Sequence, residues 1–137
     1  MSRTRNMLDY VRTELDTFDG RGFCTVDSLV LSWLAYTRLP ADDPALAPAL
    51  GWEGVRLADL YRAEYFATYY AGMWGEEPGL DLLAAVAASP RFRDARVVGY
   101  VDATDPRAEK QFAAMTFRLT EDLSYVAFRG TDASLVG

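Results

Sequence analysis

Apolar residues recur in this chain at two different intervals, and the change between them divides it. From residue 1 to about 93 the interval is helical, and from about 94 to 137 it is that of extended chain. The strongest helical stripe is Val26, Leu29, Val30, Trp33 and Leu34, which predicts a helix over Val26–Tyr36. Thr25 is the expected N-cap, and Asp27 lies in the first turn, where the helix dipole favours an anion. Arg38-Leu39-Pro40 should end that helix, because a residue before proline is pushed out of the helical region. Leu57, Leu60, Tyr61 and Tyr65 predict a second helix over Arg56–Tyr70, punctuated by Gly72 and Gly75, and Pro40–Pro48 reads as a surface loop. A third, alanine-rich helix fits Leu80–Ala88 and stops at Ser89-Pro90.

Beyond residue 94 the pattern predicts strands over Arg96–Asp102, Gln111–Leu119 and Leu123–Arg129. Ala113, Met115, Phe117 and Leu119 share one face of the second strand, with Phe112 and Ala114 on the other. In the third, Tyr125 and Ala127 alternate with Val126 and Phe128. Apolar residues on both faces suggest a sheet covered on both sides, as in an α/β fold. The short polar Thr120-Glu121-Asp122 predicts an antiparallel hairpin without fixing its turn type, and Ala103–Lys110, with Pro106, is an expected surface link. A two-faced apolar strand followed only by Gly130–Gly137 reads as an interrupted sheet that would self-associate through its exposed last strand.

Composition narrows the functions. The 137 residues are one domain's worth of chain or less, with 14 Lys and Arg against 20 Asp and Glu and a formal charge of −6. An acidic chain lacks the basic field that releases phosphate counterions, so no nucleic-acid partner is expected. The longest apolar run, Leu82–Ala88, is too short to span a bilayer, and Met1–Arg12 has no apolar segment of signal-peptide type. A cytoplasmic location without a membrane span is expected. Cys24 is the single cysteine and histidine is absent, so these residues cannot make a Ser-His-Asp site, a Cys-His site or an imidazole metal site. No cofactor and no metal is expected.

Most candidate chemistry has a plainer reading. Asp42-Asp43, Glu76-Glu77 and Glu121-Asp122 are adjacent carboxylates beside turn residues, the arrangement of solvated loop charges. Gly20-Arg21-Gly22 lacks the third glycine and the preceding strand of a dinucleotide loop. Asp16–Gly20 lacks the alternating ligands of a calcium loop, and Cys24 reads as a small buried hydrophobe. Tyr61, Tyr65, Phe66, Tyr69, Tyr70 and Trp74 form an aromatic group read as core and boundary before sugar or partner platform.

Val126-Ala127-Phe128-Arg129-Gly130-Thr131 is sharper, with Asp132 and Ser134 following. An apolar strand runs into a glycine that allows a sharp exit, and Thr131 then offers an N–H and a hydroxyl at the sheet's end, where open α/β sheets bind ligands. This run resembles the Phe-Arg-Gly-Thr/Ser segment of class 3 lipase-like α/β-hydrolases. Asn6–Val11, Val26–Ser32 and Leu34-Ala35-Tyr36 resemble the opening of a poorly characterised bacterial branch of that superfamily.

The resemblance implies an α/β fold in two parts. Residues 1–93 would be a helical N-terminal region, and 94–137 the first, antiparallel hairpin strands of an incomplete hydrolase core. It implies hydrolysis of a small acyl or lipid ester, with Thr131 as an oxyanion-hole donor. In such hydrolases a Gly-x-Ser-x-Gly elbow, an acid and a histidine come later. None of Ser2, Ser28, Ser32, Ser89, Ser124 or Ser134 sits between glycines in that way, so the nucleophile, acid and base map to nothing in these residues. Two other readings are a non-catalytic binding module that uses its tyrosine-rich face, and a structural subunit that completes its sheet with a second chain.

Overall fold

The computed structural model describes residues 3–37, 39, 43, 44, 46, 53–66, 68, 79–102 and 112–130. They form a mixed α/β unit, with helices packed on one face of a four-stranded, wholly antiparallel sheet of order β1-β2-β3-β4. The helices are α1 (Arg3–Thr13), α2 (Thr25–Leu34) and α3 (Gly79–Ala88). The strands are β1 (Val55–Arg56), β2 (Arg96–Asp102), β3 (Phe112–Thr120) and β4 (Leu123–Gly130). Among the described residues no helix is long and apolar enough to cross a membrane.

The core lies between the helices and the inner face of the sheet. Val30, Leu31 and Leu34 of α2, Met7 and Val11 of α1, and Leu82, Leu83 and Val86 of α3 are buried there. Each set follows the three- and four-residue spacing that puts side chains on one helix face. From the sheet, Val97, Met115, Phe117 and Ala127 meet them. The register aligns Val55, Val97, Phe117 and Tyr125 across all four strands.

The second expected helix is corrected. Over Arg56–Tyr65 the chain is a strand end followed by two short 3-10 turns, Leu57–Asp59 and Ala63–Tyr65. Leu57 N–H donates to the Ala95 carbonyl and Ala58 N–H to Arg93, so the β2 approach takes the donors that a helix would have used inward. Leu57, Leu60 and Tyr65 are still buried, so the spacing marked a real apolar face on the wrong element. Gly54 at φ 83° turns the chain into β1. Gly72, Gly75 and the link 103–110 lie outside the described residues.

Smaller differences have equally local causes. Helix α2 ends at Leu34, before the Pro40 signal, and Cys24 rather than Thr25 is its N-cap. Leu39 and Leu46, near or within the expected surface loop, are both buried. Helix α1 falls in the region of helical rhythm, but its short Met7 and Val11 stripe had marked no element.

The outer face of the sheet departs from the expectation of cover on both sides. Val101 and Val126 are each 46% exposed and Phe128 is 63% exposed. A bulge in β2 lets Val98 pair with Thr116 and Val101 with Ala114, so both valines face outward. Gly99 in that bulge has φ 65°. Tyr100 turns inward instead, where its hydroxyl accepts from the Leu39 N–H.

Candidate functional site

Among the described residues the densest polar arrangement is a buried cluster that joins the start of α2, the end of α1 and the turn after α3. Asp27 occupies the third position of α2, and its Oδ2 accepts the Cys24 N–H at 2.9 Å. That reach-back from the third position to the capping residue satisfies a donor the helix leaves free. It also explains why the cap falls at Cys24. Arg91 follows Ser89-Pro90 in the turn after α3, where Ser89 Oγ accepts the Arg91 N–H. Both charged side chains are fully buried.

The geometry is a two-pronged ion pair. Arg91 Nε donates to Asp27 Oδ1 at 3.0 Å and Nη2 to Oδ2 at 2.6 Å. The other guanidinium hydrogens go to carbonyls of the preceding loop. Nη1 donates to Asp16, Thr17 and Arg21, and Nη2 also to Gly22. The guanidinium carbon sits 4.0 Å from the centre of the Phe18 ring. Tyr10 completes the set, with its hydroxyl donating to Asp27 Oδ1 at 2.8 Å and lying 3.4 Å from Cys24 Sγ.

Titration follows from this placement. Burial opposes ionisation of Asp27, but hydrogen bonds from Arg91, Cys24 and Tyr10 outweigh it and hold the carboxyl below its ordinary range. Burial, together with the bonds to Cys24 and Asp27, pushes the Tyr10 phenol upward. Arg91 is held further toward its charged form, chiefly by its hydrogen bonds to Asp27.

Chemically the cluster is saturated. Each Asp27 oxygen accepts two hydrogen bonds, and all five Arg91 donors have acceptors. No lone pair or proton is left for a substrate. The cluster instead ties the 16–22 loop to the core, and an aromatic series carries that anchoring to the sheet. Phe18 packs edge-on to Phe92 and stacks with Phe23, whose ring lies 5.4 Å from that of Tyr125 in β4. The Tyr125 and Ser32 hydroxyls are 2.9 Å apart, which fixes β4 against α2.

The residues singled out from sequence fall elsewhere. β4 runs to Gly130, which pairs with Phe112, while Thr131, Asp132 and Ser134 lie outside the described residues. So do Asp42, Glu76, Glu77, Tyr69, Tyr70 and Trp74. Glu121 and Asp122 are exposed in the hairpin turn. The 16–22 loop, read as a weak cofactor or calcium loop, offers its carbonyls to Arg91. Cys24 is half-buried at a helix cap, which corrects its reading as a small buried hydrophobe. Tyr65 is buried, while Tyr61 is exposed, its ring 5.3 Å from that of Phe66 and tilted 45° to it. Among the described residues no group of three or more Cys, Asp and Glu is placed to hold a metal ion.

An open groove of about 410 Å³ lies between α1 and α3. Val11, Leu15, Ala84 and Ala88 line it, with Arg12 and Asp81 among its polar residues. It has no convergent set of polar groups of the kind that orients a reacting molecule.

The family model described as Mbeg1-like matches residues 86–137, from the end of α3 through the β2–β4 strands to the segment after Gly130. Arg91 lies inside the match, and its partner Asp27 lies outside it. No curated protein and no solved structure matches the chain.

Proposed function

We propose that these residues are the N-terminal part of a lipase-like α/β-hydrolase acting on a lipid or small acyl ester. The observation that carries the reading is the Mbeg1-like match, a lipase-like family, over the hairpin and the Val126–Thr131 run. In this reading β2, β3 and β4 are the first strands of the hydrolase sheet, and Gly130 turns the chain out of β4. Thr131 then donates to the oxygen that gains negative charge when the ester carbonyl is attacked. Nucleophile, acid and histidine come from residues after position 137, as an acyl-enzyme route requires. The Asp27–Arg91 cluster acts at a distance, holding β4 through Phe18, Phe23 and Tyr125.

The gene itself supplies the first test. An open reading frame that continues past the Gly137 codon and encodes Gly-x-Ser-x-Gly supports the proposal, and a stop codon there removes it. The second test is ester hydrolysis. The 137-residue chain, with no histidine, should not turn over p-nitrophenyl esters, whereas the longer product should. Turnover by the short chain that survives repurification would overturn the assignment of the nucleophile. A binding role without catalysis is the second reading, favoured by the exposed apolar outer face of the sheet.

A further inference from the structure

The groove between α1 and α3 carries one charge of each sign beside an exposed apolar side chain. Arg12 lies in the last turn of α1 and Asp81 in the first turn of α3, the helix ends that suit their charges. Both are exposed, both line the groove, and neither has an ion pair among the described residues. No other charged residue lines it, and Asp9 and Asp16, on either side of Arg12 in sequence, stand outside. Leu15, three residues beyond Arg12, is 52% exposed at the same groove. On the α3 wall Ala84 and Ala88, one turn apart, present only methyl groups.

We infer that this groove is the contact surface of a two-fold dimer, with a second copy of the chain as its occupant. Charge selects that partner. A two-fold axis in the contact plane, midway between Arg12 and Asp81, sets each of them opposite the other residue of the second copy. One symmetric contact then forms two ion pairs. An uncharged apolar ligand would leave both charges without a partner, and a surface of a single sign would leave one. The same rotation carries Leu15 from the α1 wall to the α3 wall of the second copy. There Ala84 and Ala88 leave room for it and let the helices approach closely. Exposed ion pairs add little affinity but fix register and exclude wrong partners, so the apolar contact supplies the attraction. That attraction works against repulsion between two chains of charge −6, and the dimer is accordingly expected to be of about micromolar strength. The inference is independent of the hydrolase reading, since it uses none of Thr131, a triad or an ester.

Sedimentation equilibrium of the 137-residue chain over about 5–500 µM should show monomer and dimer in exchange. Arg12→Asp and Asp81→Arg should each weaken the dimer at least about tenfold, because each sets like charges opposite one another twice. The double variant, Arg12→Asp with Asp81→Arg, should return to within about threefold of the parent, since the exchange leaves both pairs intact. Leu15→Ser tests the apolar contact without touching a charge and should weaken the dimer at least about fivefold. All three positions are exposed, so melting temperatures at low concentration should stay near that of the parent. A chain that stays monomeric across the range, or single reversals that dimerise as tightly as the parent, would overturn the proposal. So would a double variant no tighter than either single one. An unchanged dimer in Leu15→Ser would also sink it, moving the contact to another surface such as the outer edge of β4.

Discussion

Arg91 grips Asp27 through both carboxylate oxygens, at 3.0 and 2.6 Å, across a sequence separation of 64 residues. A charge pair taken wholly out of water is costly, and it persists here because every remaining donor and acceptor has a partner. Removing one member strands the other. Arg91→Ala and Asp27→Ala are each expected to destabilise folding by about 3–5 kcal/mol, measured by urea unfolding. Arg91→Lys should recover little, because an ammonium cannot copy the two-pronged contact and reach the loop carbonyls as well. A loss below about 1 kcal/mol in Arg91→Ala would mean that the cluster does not hold the fold.

The same cluster sets the acid limb of stability. The folded Asp27 carboxyl titrates below its unfolded value, so near pH 4 the unfolded chain binds more protons and stability rises with pH. The contribution is complete above the unfolded value of about 3.9 and is lost as pH falls through the folded one. Asp27→Asn should therefore be less stable at pH 7 and show a shallower loss as pH falls below about 4. An acid limb parallel to that of the parent chain would assign the titration to other carboxylates.

Tyr10 gives the opposite sign at alkaline pH. Its phenol is raised in the folded state, so above the ordinary value of about 10 the unfolded chain loses a proton that the folded chain keeps. Stability present below pH 10 should fall as pH climbs beyond it. Tyr10→Phe should flatten that decline, after an initial loss of about 1 kcal/mol for the missing hydrogen bond to Asp27. Unfolding midpoints at pH 9, 10 and 11 in the two proteins decide it, and equal slopes would discard the assignment.

The parts of the fold legible in sequence are those whose pattern is local. Ala113, Met115 and Phe117 alternate strictly, and β3 lies where they put it. Val30, Leu31 and Leu34 repeat at helical spacing, and α2 follows. The same logic misled at Leu57, Leu60 and Tyr65, because paired 3-10 turns can bury residues at helical intervals. What β1 does is decided by Gly54 and by the approach of Ala95, neither of which sets a period. The buried cluster was half visible. Asp27 was marked as a first-turn anion, but no spacing rule connects it to an arginine after Ser89-Pro90. A charged residue directly after the stop signal of an apolar helix was the one available hint.

Two glycines separate space from backbone strain. Gly54 has φ 83°, and a Cβ there would lie 2.7 Å from Val98 Cγ1 and 3.0 Å from Arg96 Cβ. Gly99 has φ 65°, but its nearest neighbour would be 3.9 Å away. Gly99→Ala should cost only the left-handed backbone penalty, about 1–2 kcal/mol. Gly54→Ala adds a clash at the β1–β2 junction and should cost at least about 1 kcal/mol more. Equal losses in chemical unfolding would show that the junction yields to a methyl group.

The final prediction concerns Thr131 in the longer gene product that the hydrolase proposal requires. If its hydroxyl and N–H face the ester oxygen during attack, Thr131→Ala removes one donor and keeps the backbone one. Losing an oxyanion donor typically lowers kcat by about 10²–10³, so with the N–H retained a loss of about a hundredfold or somewhat less is expected. Thr131→Ser keeps the hydroxyl and should keep most of the rate. KM should change little in both, because the interaction strengthens only as the oxygen gains charge. A Thr131→Ala enzyme within about twofold of the parent in kcat would take Thr131 out of the mechanism and leave Gly130 and its neighbour as an ordinary strand exit.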